Sequence, residues 1–199
     1  MRFEKLTIDG AMLVHIEPRP DDRGFFARTF CVNEFAAQGL STAAVQASIS
    51  YNLKSGTVRG MHFQWPPSQE GKLVRCLRGR IFDVLLDLRP DSPSYLRHQS
   101  VVLDQDNRDA VFIPPGIAHG FQTLADDTEV LYQMTDFFAA ELQTGFRWND
   151  PQFGISWPLR DDIVISDRDA TCADFNRMAY ESEYARRRTP APGTRQDRS

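Results

Sequence analysis

The stretch Arg59-Gly60-Met61-His62-Phe63-Gln64 has the alternation of a β-strand, with an ionisable side chain in its middle. Alternation sends His62 and Gln64 to one face of the strand and the apolar side chains to the other. Lys72 follows ten residues after the histidine, at the start of the next apolar run. A face of this kind is typical of a pocket wall, and the ordinary pKa of histidine suits proton transfer near neutral pH. The alternative is a core histidine held by backbone groups.

Short runs of alternating apolar residues recur on both sides of this stretch, separated by Gly, Pro and Asp. Many short strands at nearly regular spacing predict a sandwich or barrel of antiparallel strands. Hairpin turns are predicted at Arg78-Gly79-Arg80 and Asp126-Asp127. The predicted strands are Met12–Ile16, Phe25–Phe30, Val45–Tyr51, Thr57–Gln64, Lys72–Leu77, Ile81–Leu88, His98–Leu103, Ala110–Ile113, Gly120–Leu124 and Glu129–Phe137.

Helical signals are few. The clearest lies over Val32–Gln38, where Gly39 is placed as a C-terminal stop. A further helical turn or two is predicted within Cys172–Tyr184. Residues 1–183 are expected to form a single domain, followed by a disordered tail rich in Arg and Pro at residues 184–199. A basic binding arm is the alternative interpretation of this tail.

The overall composition is that of an ordinary globular protein. Of 199 residues, 41% are hydrophobic and 25% are charged, and the net charge is −4. This charge gives no reason to expect binding to nucleic acid or to a membrane. The three cysteines form no CxxC pair, and the first residues lack the apolar run of a signal peptide. We therefore expect a cytoplasmic protein.

A second motif, Pro114-Pro115-Gly116-Ile117-Ala118-His119-Gly120, resembles the Pro-x-Gly-x-x-His turn of cupin-type barrels. Glycine allows the tight bend, and the histidine lies on the strand that follows. Metal-binding cupins combine this turn with an earlier His-x-His, where this chain has His62-Phe63-Gln64. Two imidazoles rarely suffice for a catalytic metal, although a carboxylate such as Glu70 could complete a site. We therefore expect metal-free chemistry, without a cofactor, in a mainly β jelly-roll barrel of the cupin type with a few short helices.

An ordered series of motifs extends this resemblance over about 150 residues. The series is similar to the dTDP-4-dehydrorhamnose 3,5-epimerase family, metal-free cupin enzymes of nucleotide-sugar metabolism. The motifs are Asp22-Arg23-Gly24-Phe25-Phe26, Gly56–Gln64, Gly71-Lys72-Leu73-Val74-Arg75, Phe82-Asp83-Val84, Asp87-Leu88-Arg89, Pro114–Phe121, Tyr132, Thr135-Asp136, Trp148–Pro151, Gly154–Pro158 and Ser166-Asp167-Arg168-Asp169.

The resemblance implies a role for each matching residue. His62 would be the general base, oriented by Asp169, and Tyr132 would be the acid on the opposite face of the sugar. Lys72 would face the sugar carbonyl, and His119 would line the same pocket. The other implied substrate-binding positions are Arg23, Phe26, Gln46, Arg59, Gln143 and Arg168. The resemblance also implies a homodimer with strand exchange near the N-terminus.

The implied reaction inverts C3 and/or C5 of a nucleotide-linked 4-keto-6-deoxyhexose, of the dTDP-4-dehydro-6-deoxyglucose type. The ketone makes these C–H bonds acidic, because the carbanion delocalises into an enolate. Inversion then needs a base on one face of the ring, an acid on the other, and a cation at the oxyanion. A carboxylate beside the histidine fixes its orientation, and arginine forks match phosphate oxygens.

Several positions depart from the family pattern: Ala27-Arg28, Ser48, Phe137-Phe138 and Gln143. These departures leave open the nucleotide, the 4-keto sugar, and whether one carbon or both are inverted. A 3,4-ketoisomerase, a non-catalytic sugar-nucleotide-binding cupin and a metal-dependent cupin oxygenase are the rival functions. Four site residues also have a structural alternative: Tyr132 as a strand aromatic, Asp169 as a helix cap, Lys72 as a solvated lysine, and Arg59 as a partner for a surface carboxylate.

Overall fold

The computed structural model describes residues 1–188, which are mostly β-structure. The strands are β1 (Arg2–Lys5), β2 (Met12–His15), β3 (Arg19–Asp21), β4 (Gly24–Phe26), β5 (Gln46–Asn52), β6 (Val58–Gln64), β7 (Lys72–Arg78), β8 (Arg80–Asp87), β9 (His98–Asp104), β10 (Ala110–Ile113), β11 (Ile117–Thr123), β12 (Thr128–Met134) and β13 (Gln143–Gly145). The helices are α1 (Val32–Ala36), α2 (Asp167–Ala170) and α3 (Arg177–Arg188).

Two antiparallel sheets form the barrel. One sheet has the order β1-β2-β10-β7-β12-β5, and the other has the order β13-β6-β11-β8-β9. Strands β3 and β4 form a separate hairpin. This two-sheet arrangement confirms the predicted jelly-roll barrel with a few short helices.

The main core lies between the two sheets. Cys76 and Val130 from the six-stranded sheet meet Leu85 and Phe121 from the five-stranded sheet in one buried cluster. Interdigitation of two apolar faces supplies most of the stability of such a sandwich.

Both sheets are also covered on their outer faces. Segments near the C-terminal end of the described chain place Trp157, Phe175 and Tyr180 against the five-stranded sheet. Helix α1 places Phe35 against the six-stranded sheet. Because β11 is therefore buried along its whole length, it shows no simple apolar alternation.

The predicted strands are confirmed, with shifts at their ends. Shifts of three residues occur at the start of β11, which begins at Ile117 and not at Gly120, and at the end of β12, which is Met134 and not Phe137. The strand predicted over Phe25–Phe30 is wrong beyond Phe26, where β4 ends. Strands β1, β3 and β13 were not predicted, because each has at most four residues and no clear alternation. The chain turns at both predicted positions, with positive φ at Gly79 and Asp127, but the hairpin prediction is wrong. The strands joined by each turn, β7 with β8 and β11 with β12, belong to different sheets.

The helical predictions were partly right. Helix α1 starts at the predicted Val32 and is followed by Gly39 at φ +71°. Helix α3 continues to Arg188, so the disordered tail predicted from Tyr184 is wrong for residues 184–188. Arg187 extends this helix by pairing with Glu183 and lying 5.3 Å from the ring centre of Trp65.

The rest of the predicted tail, residues 189–199, lies outside the described residues. Within residues 1–188, no helix is long and apolar enough to cross a membrane.

Candidate active site

A cavity of about 490 Å³ lies between the two sheets. The five-stranded sheet contributes His62 from β6 and His119 from β11, and the six-stranded sheet contributes Lys72 from β7 and Tyr132 from β12. Strand pairing brings β6 and β11 together with His119 directly opposite His62. The cavity therefore contains ionisable side chains on both walls, and the face of β6 that carries His62 forms part of one wall, as its alternation predicted.

His62 forms a pair with Asp169. Nε2 of His62 lies 2.7 Å from Oδ1 of Asp169, which also belongs to the lining of the cavity. Asp169 lies in α2, where its backbone N–H donates to the N-cap oxygen of Ser166, 3.2 Å away. The backbone N–H of Gly60 donates to the second carboxylate oxygen at 3.2 Å. The carboxylate is thus held from both sides.

These contacts keep the carboxylate of Asp169 ionised. Burial favours a higher pKa for Asp169, but the hydrogen bond and charge of His62 and the N–H of Gly60 outweigh it, so the pKa is lowered. An ionised carboxylate accepts hydrogen bonds only, so Nε2 of His62 is the donor. Nδ1 is then the basic nitrogen of this imidazole, which is the tautomer a general base requires.

A glycine allows β6 to approach β11 closely at this point. Gly60 has φ +134°, and a Cβ atom built on it would lie 2.5 Å from Cα of Gly120. A side chain at this position would push the two strands apart, together with the histidines they carry.

Tyr132 faces the histidines from the other sheet. Its ring centre lies 6.0 Å from that of His119, at an interplanar angle of 75°. Burial raises the pKa of Tyr132 well above its usual range, the charge of Asp83 adds to this effect, and Arg59 opposes it. The phenol therefore stays protonated and can act as a proton donor.

His119 has a carboxylate partner of its own. Its Nε2 lies 2.7 Å from Oδ2 of Asp83, and both side chains are buried. Asp83 was part of a motif in the sequence, but its pairing was not predicted. The partner lies on the neighbouring strand β8, so only the register of the sheet shows the contact.

The polar groups near the cavity walls form further contacts. Nζ of Lys72 lies 2.9 Å from Glu70, and Nε of Arg59 donates to Asn52 at 2.8 Å. Gln46 accepts from the backbone N–H of Phe138 at 2.7 Å. Arginine and lysine on these walls can meet phosphate or carbonyl oxygens of a ligand.

The structure brings most of the predicted site residues together. Those that line the cavity are Gln46, Arg59, His62, Lys72, His119, Tyr132, Gln143 and Asp169. Arg168 is outside this lining, but its guanidinium donates to the side-chain oxygen of Gln143 at 2.9 Å, next to the cavity.

Two predicted residues lie elsewhere in this chain. Arg23 and Phe26 belong to the β3–β4 hairpin, where they are 90% and 74% exposed. The guanidinium of Arg23 pairs with Asp21 of the same hairpin, 2.7 Å away. Within residues 1–188, neither side chain belongs to the lining of the cavity.

Other lining residues were not assigned to substrate binding from the sequence. Glu70 was considered only as a metal ligand, and Phe138 only as a departure from the family pattern. Ser50 and Met134 had no signal beyond their positions in predicted strands. The full set of such residues is Ser48, Ser50, Phe63, Gln64, Glu70, Met134 and Phe138.

Fold and site together define a protein with a cupin-type barrel, whose cavity contains the side chains that acid–base chemistry requires. A family model described as dTDP-4-dehydrorhamnose 3,5-epimerase matches residues 5–177. The chain belongs to this family, which confirms the predicted nucleotide-sugar epimerase, an isomerase.

Among residues 1–188, no group of three or more His, Cys, Asp or Glu side chains is arranged to hold a metal ion.

Individual relatives agree with this assignment. The chain is 44% identical over 170 residues to a dTDP-4-dehydrorhamnose 3,5-epimerase of Methanothermobacter thermautotrophicus, covering 84% of this chain and 91% of the relative. A Legionella pneumophila 3,5-epimerase in complex with dTDP-4-keto-L-rhamnose is similar in structure, with a TM-score of 0.82, 32% identity and coverage of 87% and 92%. A 3'-monoepimerase from Streptomyces bikiniensis in complex with dTDP-quinovose has a TM-score of 0.79, 26% identity and coverage of 92% and 98%.

Proposed function

We propose that this enzyme inverts both C3 and C5 of dTDP-4-dehydro-6-deoxyglucose through an enolate. The observation that carries the proposal is the placement of a base and an acid on opposite walls of one cavity. His62, which is paired with Asp169 of α2, lies on the five-stranded sheet, and Tyr132 lies on the six-stranded sheet. A flat sugar ring between them would meet one group on each face, as inversion requires.

In the proposed reaction, Nδ1 of His62 removes the proton next to the ketone. The electron pair moves into the carbonyl, and the developing oxyanion is stabilised by the ammonium group of Lys72. Tyr132 then donates a proton to the opposite face of the carbon. His62 then releases its proton to solvent, and Tyr132 regains one from solvent. A second round at the other carbon gives the doubly inverted product, and the substrate's own ketone serves as the electron sink.

In this proposal, the arginines in and beside the cavity bind the nucleotide diphosphate. Arg59 lines the cavity, and Arg168 lies beside it on Gln143. Guanidinium groups bind phosphate oxygens in a bidentate manner. The dTDP-sugars bound to the Legionella and Streptomyces proteins support a thymidine nucleotide.

The enzyme is further proposed to be a homodimer in which the β3–β4 hairpin completes the partner's cavity. The exposure of Arg23 and Phe26 supports this assembly, because both were expected at the substrate and neither reaches the cavity of its own chain. Strand β5 is also an edge strand that exposes Ile49 and Tyr51.

The three cysteines are unpaired, which supports the proposed location in the cytoplasm.

The test of the reaction is solvent exchange. The enzyme is incubated with dTDP-4-dehydro-6-deoxyglucose in D2O, and deuterium at C3 and C5 is followed by NMR. We expect deuterium at both carbons and the product inverted at both. His62→Ala should lose exchange at both carbons. His15→Asn, which replaces a histidine outside the cavity lining, should retain it. Absence of exchange in the native enzyme would contradict the proposal.

The same experiment separates the other functions. The similarity to a 3'-monoepimerase favours single inversion at C3 as the second candidate. Deuterium confined to C3 would select that candidate. A product with its ketone moved to C3 would select a 3,4-ketoisomerase, and tight dTDP-sugar binding without exchange would select a binding module.

The dimer is tested by complementation. Arg23→Ala and His62→Ala are each expected to be weakly active, for different reasons. If the hairpin serves the partner's cavity, mixed dimers of the two variants regain activity in one of their two sites. Light scattering that shows a monomer, or mixtures without any gain, would contradict the exchange of hairpins.

A further inference from the structure

Glu70 is a buried carboxylate in the cavity that the proposed reaction does not use. Its side chain is 7% exposed and lies 2.9 Å from Nζ of Lys72, which is 17% exposed. A carboxylate at this depth carries a large desolvation cost unless a cation and hydrogen bonds compensate it. The ion pair is therefore a largely buried part of the cavity wall and not a solvent-exposed contact.

The backbone on both sides of Glu70 is fixed by Thr135. The hydroxyl of Thr135 accepts from the N–H of Gly71 at 2.7 Å and donates to the carbonyl of Gln69 at 3.0 Å. The N–H of Thr135 donates to the carbonyl of Gly71 at 2.9 Å. The N–H of Gln69 also donates to Asp136, at 3.0 Å. These four hydrogen bonds fix the backbone around Glu70, just before the start of strand β7.

Lys72 needs such an anchor. Its ammonium group stands on four flexible methylenes, and without a partner it would sample many positions in the cavity. An ammonium group has three N–H donors, so an ion pair with the single carboxylate of Glu70 leaves donors for other acceptors. The fixed carboxylate thereby sets where the remaining donors point.

We propose that Glu70 is a positioning residue, which holds the ammonium group of Lys72 where the sugar ketone becomes an enolate. The inference rests on the proposed function, since it concerns the oxyanion of that reaction. The charge on this oxygen develops only in the transition state. Misplacing Lys72 therefore lowers kcat more than it raises KM.

The test compares three substitutions with a control. Glu70→Ala removes the anchor, and Glu70→Asp keeps the charge but shortens the reach by one methylene; each should lower kcat about tenfold or more with KM changed less than about threefold. Glu70→Gln keeps an acceptor oxygen at the same reach, so its kcat should stay within about threefold of the native value. Glu181→Gln, on the exposed face of α3, should have no effect.

A second measurement shows whether Glu70 acts through Lys72. In the Lys72→Met background, Glu70→Asp should change the deuterium-exchange rate less than about twofold. An equal loss with and without Lys72 would overturn the inference. Native kcat in Glu70→Asp would also overturn it, because the reach of the side chain would then not matter. So would a loss in Glu70→Gln as large as that in Glu70→Asp, because keeping the reach would then not preserve kcat.

The outcome is separable from that of the proposed function. An active native enzyme with an unaffected Glu70→Asp variant overturns the positioning role alone. A native enzyme without any exchange overturns both. Should Glu70→Ala fail to fold, the comparison of Glu70→Asp with Glu70→Gln still decides, since both keep a polar side chain at this buried position.

Discussion

Nε2 of His62 lies 2.7 Å from Oδ1 of Asp169, although 107 residues separate them in the chain. A second pair of the same kind joins His119, which lines the same cavity, to the buried Asp83. The two imidazoles differ in access, because the His62 side chain is 29% exposed and that of His119 only 6%. A substrate proton can reach His62 more readily, which supports His62 as the base and assigns His119 to the wall.

Removing the charge of Asp169 should impair the base without preventing binding. Asp169→Asn is expected to lower kcat by about 10² to 10⁴ and to change KM little, because the amide no longer holds the imidazole in its basic tautomer. Steady-state kinetics with the dTDP-keto sugar measures both constants. Asp167→Asn, in the same helix but exposed, is the control, and an Asp169→Asn variant within threefold of native kcat would contradict the role.

The same carboxylate should contribute to acid sensitivity. Its pKa is lowered in the folded protein, so its ionised form stabilises the fold above the unfolded-state pKa near 3.8. This contribution is lost as the pH falls through the lower folded-state pKa. Native protein should therefore unfold less readily than Asp169→Asn at pH 7, and the difference should shrink below about pH 3.8. Urea unfolding of both proteins across this range provides the measurement. A difference independent of pH would contradict the expectation.

Tyr132 should remain protonated where an exposed tyrosine ionises. Burial and the charge of Asp83 raise its pKa, so no tyrosinate should form at this position near pH 10. The absorbance titrations of the native protein and Tyr132→Phe should therefore coincide in that range. In the exchange experiment, Tyr132→Phe should lower formation of the inverted product about 100-fold. If Tyr132→Phe showed one fewer tyrosine ionising near pH 10 than the native protein, the burial argument would be contradicted.

The packing role of Gly60, where β6 approaches β11, can be tested against Gly24, a glycine with the same backbone φ. Both have φ +134°, but a Cβ on Gly24 meets nothing within 4 Å, whereas one on Gly60 lies 2.5 Å from Gly120. Gly24→Ala should thus cost about 1–2 kcal/mol in the free energy of unfolding, from backbone strain alone. Gly60→Ala should cost at least about 3 kcal/mol, since overpacking adds to the strain. Equal losses by denaturant unfolding would contradict a packing role for Gly60.

Periodicity predicted the barrel because most strands have one face in the core and one outside it. The prediction failed where this condition does not hold. Strand β11 is buried on both faces, so its first residues look no different from the preceding turn. Strand β13 is three residues long and exists through its pairing with Gln64 and its neighbours. The last turn of α3 looked like a charged tail, because its stabilising contact with Trp65 is made across the fold.

The chain by itself determined the side-chain chemistry: an imidazole on a pocket-facing strand, a lysine at the start of the next, and the ordered motifs of the epimerase family. Alternation along one strand is a local property, so it can be read without the fold. Only the tertiary structure decided which carboxylate meets which histidine, that Lys72 pairs with Glu70, and that Arg23 and Phe26 lie outside the cavity of their own chain. Such contacts depend on sheet register and on the packing of distant segments, which no local pattern contains.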